Sequence, residues 1–119
     1  MIKENARIVD LSYLNEMSEG DSTLIKEMID IFFSQVDEFI ELMNNYLDKK
    51  EYENLGKIAH KAKSSIAIMG MNELANDLKT LEIIAKNGEK IEQYPKYIAK
   101  FENQCQLAIQ ELKEIYKEL

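Results

Sequence analysis

The sequence has few of the residues that form cross-links, interrupt helices or build metal sites. Its 119 residues include one cysteine, one proline, four glycines, one histidine and no tryptophan. A lone cysteine, Cys105, excludes an internal disulfide and gives no sign of an oxidising compartment. One histidine and one cysteine are too few for a zinc site, so no bound metal or other cofactor is expected. The scarcity of glycine and proline favours long, uninterrupted elements.

Acidic residues outnumber basic ones by 22 to 15, which gives a net charge of −7. This balance argues against nucleic acid or an anionic membrane as a partner, because both present negative charge. No stretch approaches the roughly 18 apolar residues of a membrane span, and the first residues lack the apolar core of a signal peptide. We therefore expect one domain over residues 1–119, soluble, cytoplasmic and monomeric.

Apolar residues recur at three- and four-residue steps along most of the chain, which is typical of amphipathic helices. The pattern predicts a short helix after Asp10, a long helix over roughly 22–48 and three more helices. Gly70 and Gly88 should end the third and fourth helices, and Pro95 suits the first turn of the fifth. No alternating strand pattern occurs. The expected fold is all-α, an antiparallel up-and-down four-helix bundle with a short additional N-terminal helix.

The stretch KIAHKAKSSIAIMG, residues 57–70, contains the only histidine, His60. No Asp or Glu occurs between residues 54 and 72, whereas three lysines do: Lys57, Lys61 and Lys63. One helical turn from His60 lie two small residues, Gly56 and Ser64, which would leave room for another protein to approach. Since free imidazole has a pKa of about 6.5, it is a competent nucleophile near pH 7. These features predict an exposed histidine whose modified form is an anion.

This stretch resembles the signature of histidine-containing phosphotransfer (HPt) domains, A-H-x-L-K-G-S/A with a glycine ten residues after the histidine. The matching residues are Ala59, His60, Lys63, Ser65 and Gly70. Ala62 replaces the usual leucine and Ser64 the usual glycine. Two further segments resemble the family, FFSQ at 32–35 and LKTLE at 78–82. Together the similarity covers roughly residues 10–90.

The resemblance implies a phosphoryl carrier with no catalytic activity of its own. His60 would accept a phosphoryl group from an aspartyl phosphate on a receiver domain and pass it to a second receiver aspartate. The implied partners are the receiver domains of a hybrid histidine kinase and a response regulator, and the receiver would carry the Mg²⁺. Lys63 would neutralise the phosphoryl charge, and Gln35 would orient the imidazole through a hydrogen bond.

A docking surface for the receiver is also implied by the resemblance. Its expected residues are Gly56, Lys57, Ser64, Ala67 and Glu82. An apolar contact patch is expected from Ile66 or from the first helix around Leu11 and Leu14. Gly70 is expected to terminate its helix rather than touch a partner.

Three alternatives remain open at this point. The departures at Ala62 and Ser64 are compatible with an HPt-fold interaction module that binds a receiver without being phosphorylated. The chain is also compatible with the phospho-accepting domain of a chemotaxis-type histidine kinase, in which an attached ATP-binding domain is the donor. The third alternative is a helical bundle unrelated to signalling.

Overall fold

The computed structural model describes residues 8–119, and every regular element in that range is helical. The helices are α1 (Ser12–Met17), α2 (Ser22–Asp48), α3 (Tyr52–Ile68), α4 (Asn72–Lys86) and α5 (Tyr94–Lys117). A 3-10 turn at Ile91–Gln93, which the periodicity did not indicate, precedes α5. The predicted fold class is confirmed. The predicted domain also includes residues 1–7, which lie outside the described residues.

The lengths of the connections make the four long helices antiparallel. Three residues join α2 to α3, and three join α3 to α4. Three extended residues span about 10 Å, so each helix must begin beside the end of the one before it. The longer link to α5 is held in place by Tyr94, whose hydroxyl lies 2.9 Å from the Ile84 carbonyl and 2.6 Å from that of Glu89.

One apolar core runs the length of the bundle. Helix α2 buries residues at three- and four-residue steps: Ile25, Ile29, Phe32, Val36, Phe39 and Met43. Helix α5 meets them with Ile98, Phe101, Cys105, Ala108 and Leu112. Burying one such large side chain contributes about 1.5–3 kcal/mol. Burial also raises the pKa of the Cys105 thiol to about 12, so this cysteine is an inert core residue, as predicted.

The helix ends follow the signals in the sequence. The Asp21 carboxylate caps α2 by accepting hydrogen bonds from the backbone N–H groups of Thr23 and Leu24. Pro95 lies in the first turn of α5, and Gly88 follows the end of α4 with a φ of +64°. No helix within residues 8–119 is sufficiently long and apolar to cross a membrane.

The segment before α1 is fastened to the end of the bundle at Gly70. Backbone N–H groups of Ile8 and Val9 donate to the Glu111 carboxylate on α5, and the Asp10 N–H donates to the Met69 carbonyl at 2.9 Å. Gly70 has a φ of +74°, and a Cβ there would collide with the Asp10 backbone. Gly70 therefore both ends α3, as predicted, and makes room for this segment.

Replacing Gly70 by alanine should destabilise the fold more than the same change at Gly88. Both glycines have positive φ, but a Cβ at Gly88 would meet no atom within 4 Å. We expect Gly88→Ala to cost about 1 kcal/mol for the left-handed backbone alone. Gly70→Ala should cost about 2–4 kcal/mol because overpacking is added. Urea unfolding measures both, and equal losses would show that the Asp10 contact is unimportant.

Candidate functional site

His60 lies on the outward-facing side of α3. Its neighbours Ala59 and Ala62 are completely buried against the core, and this places the imidazole beside the buried stripe rather than in it. The His60 side chain is 61% exposed. The prediction of an accessible histidine is therefore confirmed, and the ring can be reached by another protein.

The imidazole is held from the neighbouring helix by Glu82 of α4. His60 Nδ1 lies 2.9 Å from Glu82 Oε2. An ionised carboxylate can only accept hydrogen bonds, so Nδ1 must carry the proton and donate it. In a neutral ring the lone pair then resides on Nε2. This arrangement selects the tautomer in which Nε2 has the free lone pair.

Two lysines share the same carboxylate. Lys86 Nζ lies 3.0 Å from Glu82 Oε2, and Lys63 Nζ lies 3.6 Å from Oε1. Partial burial of Glu82 would by itself raise the pKa of its carboxyl, but the hydrogen bonds from Lys86 and His60 outweigh burial and lower that pKa to about 2. The Glu82 side chain is only 14% exposed, so its negative charge is directed at these three partners.

The sequence around His60 contains no acidic residue, but the folded structure places one beside the ring. Residues 54–72 contain no Asp or Glu, yet α4 brings one carboxylate into direct contact with the ring. Sequence reasoning placed Glu82 on the docking surface and overlooked Lys86. The signal for Lys86 was present, since it follows Glu82 by four residues and i,i+4 acid–base pairs meet on one helix face.

The structure corrects the role expected for Gln35. Its Oε1 accepts a hydrogen bond of 2.8 Å from the Ser65 hydroxyl, whereas the hydrogen bond to the imidazole is made by Glu82. Ser65 follows His60 by five residues. Five residues correspond to a rotation of about 140° around an α-helix, so Ser65 and His60 lie on different faces of α3. A side chain of α2 that contacts Ser65 is therefore far from the imidazole.

A second correction concerns Gly56, which was expected on the docking surface. Gly56 is buried in the contact between α3 and α4. A Cβ at this position would lie 2.7 Å from Lys86 Cγ and 3.1 Å from the Glu82 carbonyl oxygen. The glycine is needed because α4 packs directly over it. It cannot form part of a surface that a partner touches.

The remaining docking residues predicted from the sequence are on the surface. Lys57, Ser64 and Ala67 are all exposed. Lys57 makes a long pair of 4.0 Å with Glu53. Ser64, in the position where the family signature has glycine, extends from the surface one turn beyond His60. Their contact with a partner stays a prediction.

The apolar patch agrees only in part with the one expected. Ile66 and Leu14 are fully buried and unavailable to a partner. Leu11 is half-buried. Exposed apolar side chains occur on the expected first helix, at Tyr13 and Met17, and on α2, at Leu24 and Ile31. Ile31 borders a groove between α2 and α3 that is lined by Met28, Ile31, Phe32, Gln35, Ser65, Ile68 and Met69.

The groove is near His60 along the axis of α3 but lies on a different face of that helix. Ser65, which lines it, is five residues beyond His60. This separation is about 7.5 Å along the helix axis. A protein that covers both the ring and the groove must therefore extend around α3 from one face to the other. Within residues 8–119 no group of three or more His, Cys, Asp or Glu side chains is placed to hold a metal ion.

Comparison with known proteins identifies the family. The model of the Hpt domain matches residues 27–115. The chain belongs to the Hpt domain family. A relative, the phosphorelay intermediate protein YPD1 of Candida albicans, is 28% identical to the chain in an alignment of 82 residues. The alignment covers 66% of this chain and 45% of that protein. The chain thus spans less than half the length of this relative.

A solved Hpt structure has the same fold. The crystal structure of histidine-containing phosphotransfer protein B (HptB) from Pseudomonas aeruginosa matches with a TM-score of 0.86. The match covers 96% of this chain and 98% of that chain at 22% identity. It establishes the helical architecture of this Hpt domain along nearly its whole length.

The ion pairs of Glu82 should make the stability of this Hpt domain depend on pH. Because folding lowers the pKa of Glu82 from 4.5 to about 2, the contribution is complete above pH 4.5 and is lost as the pH falls towards 2. We expect Glu82→Gln to cost about 1 kcal/mol at pH 7, since its lysine partners are partly exposed and screened. The difference from wild type should shrink as the pH falls towards 2.

Urea unfolding at pH 7, 4 and 2.5 tests this expectation. Glu73→Gln is a suitable control, because Glu73 lies on the same helix and its side chain is 88% exposed. A constant difference between wild type and Glu82→Gln at all three pH values would contradict the assignment.

Proposed function

We propose that this chain carries a phosphoryl group on His60 in a two-component phosphorelay. The observation that supports this function most directly is the hydrogen bond of 2.9 Å between His60 Nδ1 and Glu82. It leaves Nε2 as the nucleophile on an exposed ring. Membership of the Hpt family supports the same function, and so does similarity to a protein named a phosphorelay intermediate.

The proposed reaction is a reversible exchange between nitrogen and oxygen. The Nε2 lone pair attacks the phosphorus of an aspartyl phosphate on a receiver domain. A bond from phosphorus to Nε2 forms while the bond to the aspartate oxygen breaks, and its electron pair leaves with the carboxylate. Transfer onward to a second receiver is the reverse process with a different aspartate. In this proposal the receiver provides the Mg²⁺, and the chain is a carrier rather than an enzyme.

The lysines beside Glu82 are well placed to meet the added charge. A phosphoryl group brings close to two negative charges and three acceptor oxygens. Lys63 lies one turn after His60 on α3, and Lys86 approaches from α4. Both can turn from the Glu82 carboxylate to the phosphoryl oxygens, since each forms a charge-assisted hydrogen bond with either partner. Lys63 thus keeps the role that the sequence suggested, and Lys86 shares it.

Replacing His60 by glutamine should abolish phosphoryl acceptance without unfolding the bundle, because the exposed side chain makes no core contact. The test is intact-mass spectrometry after incubation with a phosphorylated receiver domain and Mg²⁺. Wild type should gain one acid-labile, alkali-stable phosphoryl group, and His60→Gln none.

Other outcomes of the same experiment separate the alternatives. Equal labelling of His60→Gln would rule out His60 as the acceptor. Binding without labelling across a panel of receivers would favour an interaction module. Labelling by the ATP-binding domain of a kinase but by no receiver would favour a chemotaxis-type phospho-accepting domain.

The groove between α2 and α3 is the proposed apolar contact for the receiver. Ile31 borders it and is 56% exposed. Ile31→Glu should weaken receiver binding about tenfold or more, because a charge would be buried at the contact. Leu107→Glu on α5 is the control, since Leu107 is also partly exposed, at 39%, and does not line this groove. Titration calorimetry measures both, and equal affinities for the two variants would place the contact elsewhere.

A further inference from the structure

The contact between Glu82 and His60 has a second consequence once Nε2 is phosphorylated. Glu82 binds Nδ1, and the phosphoryl group is attached to the other ring nitrogen, so the new group does not displace the carboxylate. Phosphorylation of a ring that already carries the Nδ1 proton produces a positively charged phosphoimidazolium. A carboxylate at hydrogen-bond distance from Nδ1 stabilises this cation, because a charge-assisted hydrogen bond is stronger than a neutral one.

The Nδ1 proton determines how readily the phosphoryl group departs. If Nδ1 has lost its proton, breaking the P–N bond expels an imidazolide anion, which is a poor leaving group. If the proton is retained, a neutral imidazole leaves. The rate of phosphoryl loss therefore rises as the pH falls, with a midpoint set by protonation of the phosphorylated ring.

We propose that Glu82 keeps the proton on Nδ1 of phosphorylated His60. The imidazole then remains a good leaving group, and the phosphoryl group is transferred readily. This inference rests on the proposed function. During transfer the P–N bond breaks, its electron pair returns to Nε2, and the proton remains on Nδ1 against Glu82. No proton has to enter or leave the ring in either direction of the exchange. Glu82 thereby acts as a positioning residue that shortens the life of the phosphorylated state.

The other charged groups around the ring reinforce this role. From α4, Glu82 contacts the ring and Lys86 contacts the same carboxylate. On α3 itself, Lys63 contacts that carboxylate, and Lys57, one turn before His60, pairs with Glu53. Among residues 8–119, Glu82 has the one carboxylate within 4.0 Å of the His60 ring nitrogens.

In the unphosphorylated protein the two nearer lysines, Lys63 and Lys86, share the Glu82 carboxylate with the ring. After phosphorylation the phosphoryl oxygens compete for these lysines. Glu82 is then less neutralised by them, and its hydrogen bond to the ring becomes stronger.

The experiment measures the pH dependence of phosphoryl loss with no protein partner. His60 of the full chain is labelled with phosphoramidate, the reagent is removed, and loss is followed by intact mass from pH 5 to pH 9. Glu82→Gln is the informative variant, because glutamine keeps an acceptor oxygen but carries no charge. Glu73→Gln on the same helix is the matched control, since its contact is with Lys100 rather than with the site.

In Glu82→Gln the midpoint for phosphoryl loss should move to lower pH by about 0.5–1 unit. Near neutral pH its phosphorylated form should then live about fivefold longer than that of wild type. Glu73→Gln should match wild type. A merely structural link between α3 and α4 would leave the midpoint unchanged, so superimposable profiles for wild type and Glu82→Gln would overturn the proposal.

A second measurement does not depend on the variant. In ring ¹H–¹⁵N spectra of phosphorylated wild type, the Nδ1 proton should be observed at neutral pH, and its absence would also overturn the proposal. Failure of phosphoramidate to label His60 would do the same. These outcomes are distinct from failure of the proposed function, which would appear as chemical labelling with the expected profile but no transfer with any receiver.

Discussion

The Glu82 carboxylate is the interaction on which the site depends. It fixes the tautomer of His60, holds two lysines beside the ring and ties α4 to α3 at Nδ1 of the imidazole. Each of these effects needs the carboxylate ionised, and the lysine and histidine contacts keep it so by lowering its pKa to about 2. The negative charge of Glu82 is thus stabilised by the same lysine and histidine side chains that it holds in place.

Close packing of α3 and α4 is what brings these groups within reach. The two helices are in close contact at Gly56, where any side chain would meet Lys86 and the backbone of Glu82. His60 lies one turn further along α3. The missing side chain at Gly56 therefore lets Glu82 come within hydrogen-bond distance of His60, although Gly56 is itself buried in the helix contact.

The sequence was sufficient for the fold and for the position of His60. Both follow from the spacing of apolar residues within each helix, and this spacing can be read from neighbouring residues of the chain. The contacts of the site were harder to foresee, because they depend on how one helix is rotated against another. Gln35 and Glu82 illustrate this, since both lie on helices next to α3, but only the rotation of α4 directs a side chain to the imidazole. Gly56 was misjudged because a small residue serves equally well at a surface or in a helix contact.

The residues proposed for phosphoryl transfer lie in one helical hairpin, formed by α3 and α4. Glu82 follows His60 by 22 residues, and the link between their helices is only three residues long. Contacts so close along the chain lose little loop entropy when they form. The packing of α2 on α5 joins residues that are much further apart. The hairpin proposed to accept the phosphoryl group can therefore form early in folding, before α2 and α5 close the bundle around it.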